Sequence, residues 1–406
     1  MSLDRLAVRP SRPLTFAGYF GFVLIGWNFV LLPSLIRPIE HDFGQSDAAF
    51  GLLYFVEALA YACGTLGGGF LTERIGRKWV LSAGALLAGL GLAGESLAPS
   101  WILFMLSSMP VMCGGGAIDG GINGLFLDLY REARGGALNF LHLFFGLGSL
   151  LAPFLVGLLV TGGVSWRVLL FVTGGSFLLL TAWLSATGMP SGRHDRTSEA
   201  AEESELTGSE RSLLPFFALA FCIGVYVAAE AGVSSWLVRL LSNVSLATAT
   251  RMLSIFWIGL ALGRLLSRWV AERFDYFTFT IGCFVLASVA LVGAVMAPWL
   301  VVVAFLFGLT GLFYGPIFPM IMALGGNIYP HRLAALSGGL TTAAVVGGLI
   351  YRPLMGIMES RVGLTAGMIG AALLGIPGAV SLIVARITSS REDSSPAAEL
   401  VDGQAG

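Results

Sequence analysis

Asp119 and Asn123 stand four residues apart in Met112-Cys-Gly-Gly-Gly-Ala-Ile-Asp-Gly-Gly-Ile-Asn123, so they share one face if this stretch is helical. The surrounding run, from about Trp101 to Phe126, is apolar and long enough to cross a bilayer. A carboxylate at the centre of such a helix costs roughly 3 kcal/mol on insertion scales, so it is expected to face a polar cavity or a partner and not lipid. An acid held out of water is a group that can load and release a proton as its surroundings change. The bland alternative is an aspartate locked in a permanent hydrogen bond or ion pair. Glycines 114–116, 120 and 121 allow close helix approach and leave room beside the carboxylate.

Further polar residues interrupt other apolar runs. Asn139, His142 and Gly146 follow at spacings of three and four, which makes a second polar stripe beside the first. For His142, a hydrogen-bonded structural role stands against one in handling substrate or a proton. Tyr226, Glu230, Ser234 and Trp236 lie in one later run, Tyr314-Gly-Pro316-Ile-Phe-Pro319 in another, and Tyr351-Arg352-Pro353 in a third. Glu230 and Arg352 could neutralise each other, or Arg352 could orient an anionic or polyol substrate. Pro316 and Pro319 remove backbone donors near mid-span, which predicts a break or kink that frees carbonyls and could gate access. Glu57 is another deep acid, with no partner that spacing identifies. Trp27 and Asn28 are candidates to line a cavity, although an isolated Trp packs or marks an interface at least as often.

The elements that must position these side chains are membrane helices. Of 406 residues, 56% are hydrophobic, 12% are charged and 55 are glycine, with a mean hydropathy of +0.84, which places the core in lipid. The net charge of −1 and the scattered basic residues exclude a nucleic-acid face. Cys63, Cys113, Cys222 and Cys283 fall inside apolar runs without metal or disulfide spacing, and no cofactor is implied. At about 20 residues per crossing, twelve spans are expected near 14 to 36, 50 to 71, 79 to 98, 102 to 127, 137 to 161, 167 to 187, 214 to 238, 250 to 270, 279 to 297, 300 to 324, 335 to 358 and 364 to 387. The expected order is a cytoplasmic segment 1–13, a six-helix bundle 14–187, a polar linker 188–213, a second bundle 214–387 and a disordered tail 388–406. Arg5, Arg9 and Arg12 precede the first span without a cleavage site, so that span reads as a retained helix. With both termini inside, the outer segments hold only Arg37, Arg167, Arg239, Arg251 and Arg361, while most of the other arginines fall inside, and the positive-inside rule favours this orientation.

The two halves echo each other. Gly69-Phe-Leu-Thr-Glu73-Arg74-Ile-Gly76-Arg77-Lys78 closes span two, and Gly263-Arg264-Leu-Leu-Ser-Arg268-Trp-Val-Ala-Glu272-Arg273 closes span eight. Duplicated six-helix halves point to a transporter that rocks about a central site. The first junction resembles the loop signature of the major facilitator superfamily, Gly-x-Leu-x-Asp-Arg-x-Gly-Arg-Lys, with Glu73 in place of aspartate. The resemblance implies an all-α fold of twelve helices in two pseudo-symmetric bundles. It also implies a charge network of Glu73 and Arg74, on the loop that carries Gly76 and Arg77, holding the halves together in the outward-open state.

A finer resemblance is to the fucose, galactose and glucose symporter branch. It rests on Gly-Ala-Ile-Asp119-Gly-Gly-Ile-Asn123, Leu138-Asn139-Phe-Leu-His142, Tyr226-Val-Ala-Ala-Glu230 and Gly315-Pro-Ile-Phe-Pro319. That branch implies Asp119 as the coupling acid beside the sugar and His142 at a polar helix-five position. Fucose-type members carry a second acid in helix one, and Thr15 to Ile36 has none. The expectation is therefore a monomeric secondary transporter in a cell membrane, the bacterial inner membrane in the first place, that couples a small hydroxylated solute to a proton or sodium. Asp119, Glu57 and Glu230 are the acids available for coupling. Asn123, Asn139, His142, Trp27, Asn28, Tyr226, Trp236, Tyr314 and Arg352 are those available for recognition. An efflux antiporter of the same fold and a non-transporting membrane sensor are the rivals; no enzyme site can be assembled from the spacing.

Overall fold

The computed structural model describes residues 12–130, 134–189, 212–271, 273–329 and 333–393. The expected linker 188–213 lies almost wholly outside these residues, as do 1–11 and the tail beyond 393. Among the described residues there are twelve helices long and apolar enough to span a membrane, as the hydropathy predicts. They are α1 (Arg12–Phe43), α2 (Asp47–Ile75), α3 (Arg77–Leu97), α4 (Trp101–Leu129), α5 (Arg134–Thr161), α6 (Trp166–Ala186), α7 (Leu214–Leu240), α8 (Leu246–Ala271) and α9 (Tyr276–Met296). Then come α10 (Leu300–Ile328), α11 (Leu333–Val362) and α12, which runs as Leu364–Leu373 and Gly375–Asp393 and so passes the expected end at 387.

The helices group into two units. The first takes α1 to α6 together with Ser235–Ser254, the end of α7 and the start of α8; the second takes the rest of α7 and α8 and all of α9 to α12. Within each unit, pairs of helices meet backbone to backbone at interlocked glycines. A Cβ at Gly26 would strike the Phe145 carbonyl and one at Gly148 the Val23 carbonyl, which seats α1 on α5. Gly64 against Cys113 and Gly116 against Tyr61 do the same for α2 and α4. The second unit repeats both pairings: Gly347 meets the Gly224 carbonyl across α7 and α11, and Gly259 and Gly311 meet the Gly308 and Phe256 carbonyls across α8 and α10. The internal duplication is thus written in close approaches, the form helix packing takes where lipid removes the hydrophobic drive.

The expected break in α10 is present but slight: Gly315 and Pro316 separate the helical segments Leu300–Tyr314 and Ile317–Ile328. Gly315 (φ −51°, ψ −47°) and Pro316 (φ −69°, ψ −26°) both keep helical angles, and the chain resumes with Met320 N–H donating to Pro316 O at 3.0 Å. Pro319 falls in the first turn of the segment Ile317–Ile328, where its missing N–H would have no partner anyway. The carbonyl freed by Pro316 is that of Leu312, four residues back. It is not turned to a cavity: it abuts Gly263 of α8, with the Pro316 ring close by.

At one end of the first unit, Ser46 caps α2 and Asp47 follows in its first turn, 4% exposed. Arg239 forks onto Asp47 at 2.8 and 2.9 Å and reaches Glu40 at 3.1 Å. Arg37 donates to the carbonyls of Val244 and Ser242 at 2.9 and 3.4 Å, and the Tyr54 hydroxyl donates to Ser235 O at 3.3 Å. The ends of α7 and α8 are therefore tied to α1 and α2 by charge as well as packing. Truncating Arg239 to Ala strands a buried carboxylate, and thermal melts in detergent should show a loss of about 2 kcal/mol, recovered in part by Asp47→Asn.

At the opposite end, a single residue joins α2 to α3. Gly76 sits at φ 90° and ψ 149°, a region essentially closed to side chains, while its N–H donates to Thr72 O at 3.1 Å. Gly76→Ala should cost about 1–3 kcal/mol in the same melts, with no comparable loss for Gly69→Ala near the end of α2, where a Cβ meets nothing within 4 Å.

Candidate functional site

The α2–α4 contact sets the geometry around Asp119. With Gly116 lodged against the Tyr61 carbonyl, the Tyr61 ring reaches along α4 and its hydroxyl donates to Asp119 Oδ2 at 2.5 Å. Asn123 Nδ2 donates to Oδ1 at 3.0 Å. Thr65 ties the two helices further, its hydroxyl in reach of the Tyr61 carbonyl at 3.0 Å and the Gly116 carbonyl at 3.3 Å. Asp119 is thus a half-buried carboxylate with both oxygens engaged by neutral donors, and the side chains that act on it are Tyr61 and Asn123, neither of them charged. Asn123 Oδ1 is buried without a hydrogen-bond partner, an acceptor left over beside the acid. Sequence reasoning paired Asp119 with Asn123 and missed Tyr61. The signal was present: Glu57, Tyr61 and Thr65 recur every four residues on α2.

The other residues singled out in this unit fall in several places. His142 is exposed and meets Phe22 of α1 edge-on, with ring centres 5.3 Å apart. The side chain of Asn139 lies outside the described residues. Trp27 donates its indole N–H to Thr173 of α6 at 3.1 Å, and Asn28 contacts the Met112 sulfur of α4 at 3.8 Å, so both are engaged inside the bundle. Glu57 is buried, and the structure supplies the neighbour that spacing could not: Glu95 of α3, also buried and not recognised as a deep acid from sequence. Trp236 is fully enclosed against Tyr54, ring centres 5.6 Å apart, and belongs to the first unit.

At the α2–α3 junction the buried charge is Arg77, not Glu73 or Arg74. Its Nη2 contacts Asp128 Oδ2 of α4 at 2.7 Å, whereas Glu73 and Arg74 are exposed and the Arg74 guanidinium lies 4.3 Å over the Phe70 ring. Asp128 falls one residue past the expected end of span four, which is why it was not counted among the helix acids.

In the second unit, Tyr226 and Tyr314 are buried with their rings edge to face, centres 5.8 Å apart, and Tyr314 also meets Phe256. The Tyr226 hydroxyl is flanked by Glu230 and by Arg264 of α8. Arg352 is buried on α11, and its neighbour Tyr351 donates to Gly367 O at 2.7 Å. Among the described residues no group of three His, Cys, Asp or Glu side chains could hold a metal ion.

Comparison with known proteins agrees with this architecture. Residues 18–274 match the family model described as Major Facilitator Superfamily. The uncharacterised MFS-type transporter YfkL of Bacillus subtilis (strain 168) is 23% identical over 379 residues, covering 90% of this chain and 94% of that protein. A glucose/galactose transporter of Brucella abortus biovar 1 (strain 9-941) is 25% identical over 365 residues, covering 83% of this chain and 84% of that one. Among solved structures, an inward-facing bacterial homologue of the human lysosomal transporter Spinster superposes with a TM-score of 0.77 at 18% identity, over 94% of this chain and 98% of the other. These are folds and relatives of transporters and not of enzymes. With twelve spanning helices, duplicated helix pairs and the basic α2–α3 junction, the chain belongs to the Major Facilitator Superfamily of membrane transporters.

Proposed function

We propose that this transporter couples the movement of a small hydroxylated solute, a monosaccharide in the first place, to a proton or sodium gradient, with Asp119 as the coupling acid. The observation that carries the reading is a carboxylate set in a membrane helix among neutral donors only, Tyr61 and Asn123. Such a group has no fixed cation to hold it charged, so a proton or a small cation from solution can take that place. The unpartnered Asn123 Oδ1 beside it offers an acceptor to a solute hydroxyl. Relatives described as sugar transporters support the solute class. The excess of Arg and Lys in the segments assigned inside supports cytoplasmic termini, and a monomer suffices for a chain that carries both repeats.

The coupling role separates from recognition in proteoliposomes. Asp119→Asn should lower gradient-driven uptake roughly tenfold or more and abolish its dependence on pH or sodium, while exchange of solute across the membrane without a gradient persists. Unchanged gradient dependence in that variant would remove Asp119 from the mechanism. Tyr61→Phe, which deletes one charge-assisted hydrogen bond worth about 1.5–3 kcal/mol, should reduce gradient-driven uptake severalfold with exchange retained.

A further inference from the structure

Glu95 shares one face of α3 with Gly84, Ala88 and Gly91, at the four-three-four spacing of a helix stripe. That stripe lies on α4. Gly114 is seated against the Gly84 carbonyl and the Ala88 amide, and a Cβ at Gly91 would stand 2.9 Å from both the Ser107 carbonyl and the Val111 amide. On α2, Glu57 stands seven residues before Gly64, which abuts Cys113 of α4, and Gly68 meets Ala117 one turn later. α2 therefore runs parallel to α4 and α3 runs against it, which brings both acids level with residues 105–108 of α4. Both are buried, and Glu95 is only 6% exposed.

Nothing positive answers Glu95. Among the described residues no cation and no hydrogen-bond donor acts on its carboxyl, and the charged group that does is Glu57. α4 carries no Asp, Glu, His, Lys or Arg before Asp119; its Cys113 is about two turns further on. Arg167, at the start of α6, is spent on the carbonyls of Ser96 and Ala98 at 3.0 and 2.8 Å and lies 3.9 Å from Asp42. On α2, Tyr61 is turned to Asp119, and Asp47 is held by Arg239 about 15 Å before Glu57. The Ser108 hydroxyl donates to Met105 O at 2.8 Å.

A carboxylate enclosed without cation or donor is among the costliest arrangements in a protein, and such a group takes up a proton instead. The acid form also gains an O–H to donate. α4 offers an acceptor at this height, because Pro110 lacks the N–H that the Leu106 carbonyl would receive in an unbroken helix. A metal ion would need several converging oxygens, and among the described residues no group of three His, Cys, Asp or Glu side chains could hold one.

We propose that Glu95 is a proton-binding site of the first unit, filled as the neutral acid in the folded protein and emptied against Glu57 when the compartment at this end turns alkaline. It lies about 20 Å along α4 from Asp119 and is a separate site. Its end of α2 and α3 is the outer one under the cytoplasmic termini proposed above. The alternative is an acid that stays protonated for good and senses nothing.

Infrared difference spectra of the reconstituted protein, parent minus Glu95→Gln, read this proton without any solute, so the outcome is independent of the coupling role of Asp119. Near neutral pH the carbonyl band of a protonated carboxyl should be present, should shift on exchange into D2O, and should give way to carboxylate bands as the pH rises. In Glu57→Gln, where the opposing acid is gone, that loss should move to lower pH. Thermal melts follow the same proton. Between the ordinary titration range of glutamate and the pH at which Glu95 lets go, the folded parent holds a proton that the unfolded chain has lost. Its unfolding equilibrium should therefore grow about tenfold per pH unit and then level off, a rise that Glu95→Gln lacks. Carboxylate bands at neutral pH, a carboxyl band that persists to the alkaline limit of folding, or no movement of it in Glu57→Gln would overturn the proposal. The band should survive in Asp119→Asn; its loss there would make one site of the two and overturn it as well.

Discussion

Close approach of helix backbones at glycine is the constraint from which the rest of the structure follows. Lipid is as apolar as leucine, so membrane helices gain little from burying apolar surface against one another and rely on contact area and short-range attraction. At Gly64 and Gly116 the α2 and α4 backbones come so near that no Cβ fits between them. That contact delivers the Tyr61 hydroxyl to Asp119 and lets Thr65 reach the Gly116 carbonyl. In the second unit the same device, at Gly259, Gly263, Gly311 and Gly315, seats α8 on α10 beside the interruption at Gly315 and Pro316 and gives the carbonyl left free by Pro316 a neighbour on α8. The glycines are thus the positioning elements of both polar clusters.

The second governing term is the cost of charge in an apolar medium, and the molecule meets it in different ways at different depths. Near the helix ends, charges are paired directly: Arg77 with Asp128, and Arg239 with Asp47 and Glu40. Such pairs replace water by a fixed partner and hold helix ends in register. Deeper in, pairing is looser. Asp119 is held by neutral donors only, and Asn123 beside it keeps an unpartnered Oδ1. Groups whose needs are incompletely met by the protein are the ones that a proton, an ion or a solute can complete. The gradient from firm pairs at the ends to open ones inside is what a carrier requires, since a fully satisfied interior would bind nothing.

The helices themselves were legible because each lipid-spanning segment must satisfy its own backbone and so announces itself as an apolar run of fixed length. Asp119 and Asn123 were legible for a related reason: a four-residue spacing is a contact within one helix and needs no knowledge of the fold. For Trp236, spacing along α7 could not supply the ring it packs on, Tyr54 of α2. For α10, proline chemistry correctly indicated a perturbed helix, yet Gly315 and Pro316 keep helical angles and the orphaned carbonyl is occupied by a neighbouring helix.

By itself, the sequence determined the membrane class, the number and approximate limits of the helices, the duplicated halves, and which residues are too costly to face lipid. These follow from local composition and from periodicity within a single helix. Tertiary structure alone decided the partners: Tyr61 for Asp119, Asp128 for Arg77, Glu95 for Glu57, and Arg264 for the Tyr226–Glu230 pair. Each of these joins residues on different helices. Which helices meet, and at what height, is set by interlocking glycines whose effect appears only when two backbones are brought together.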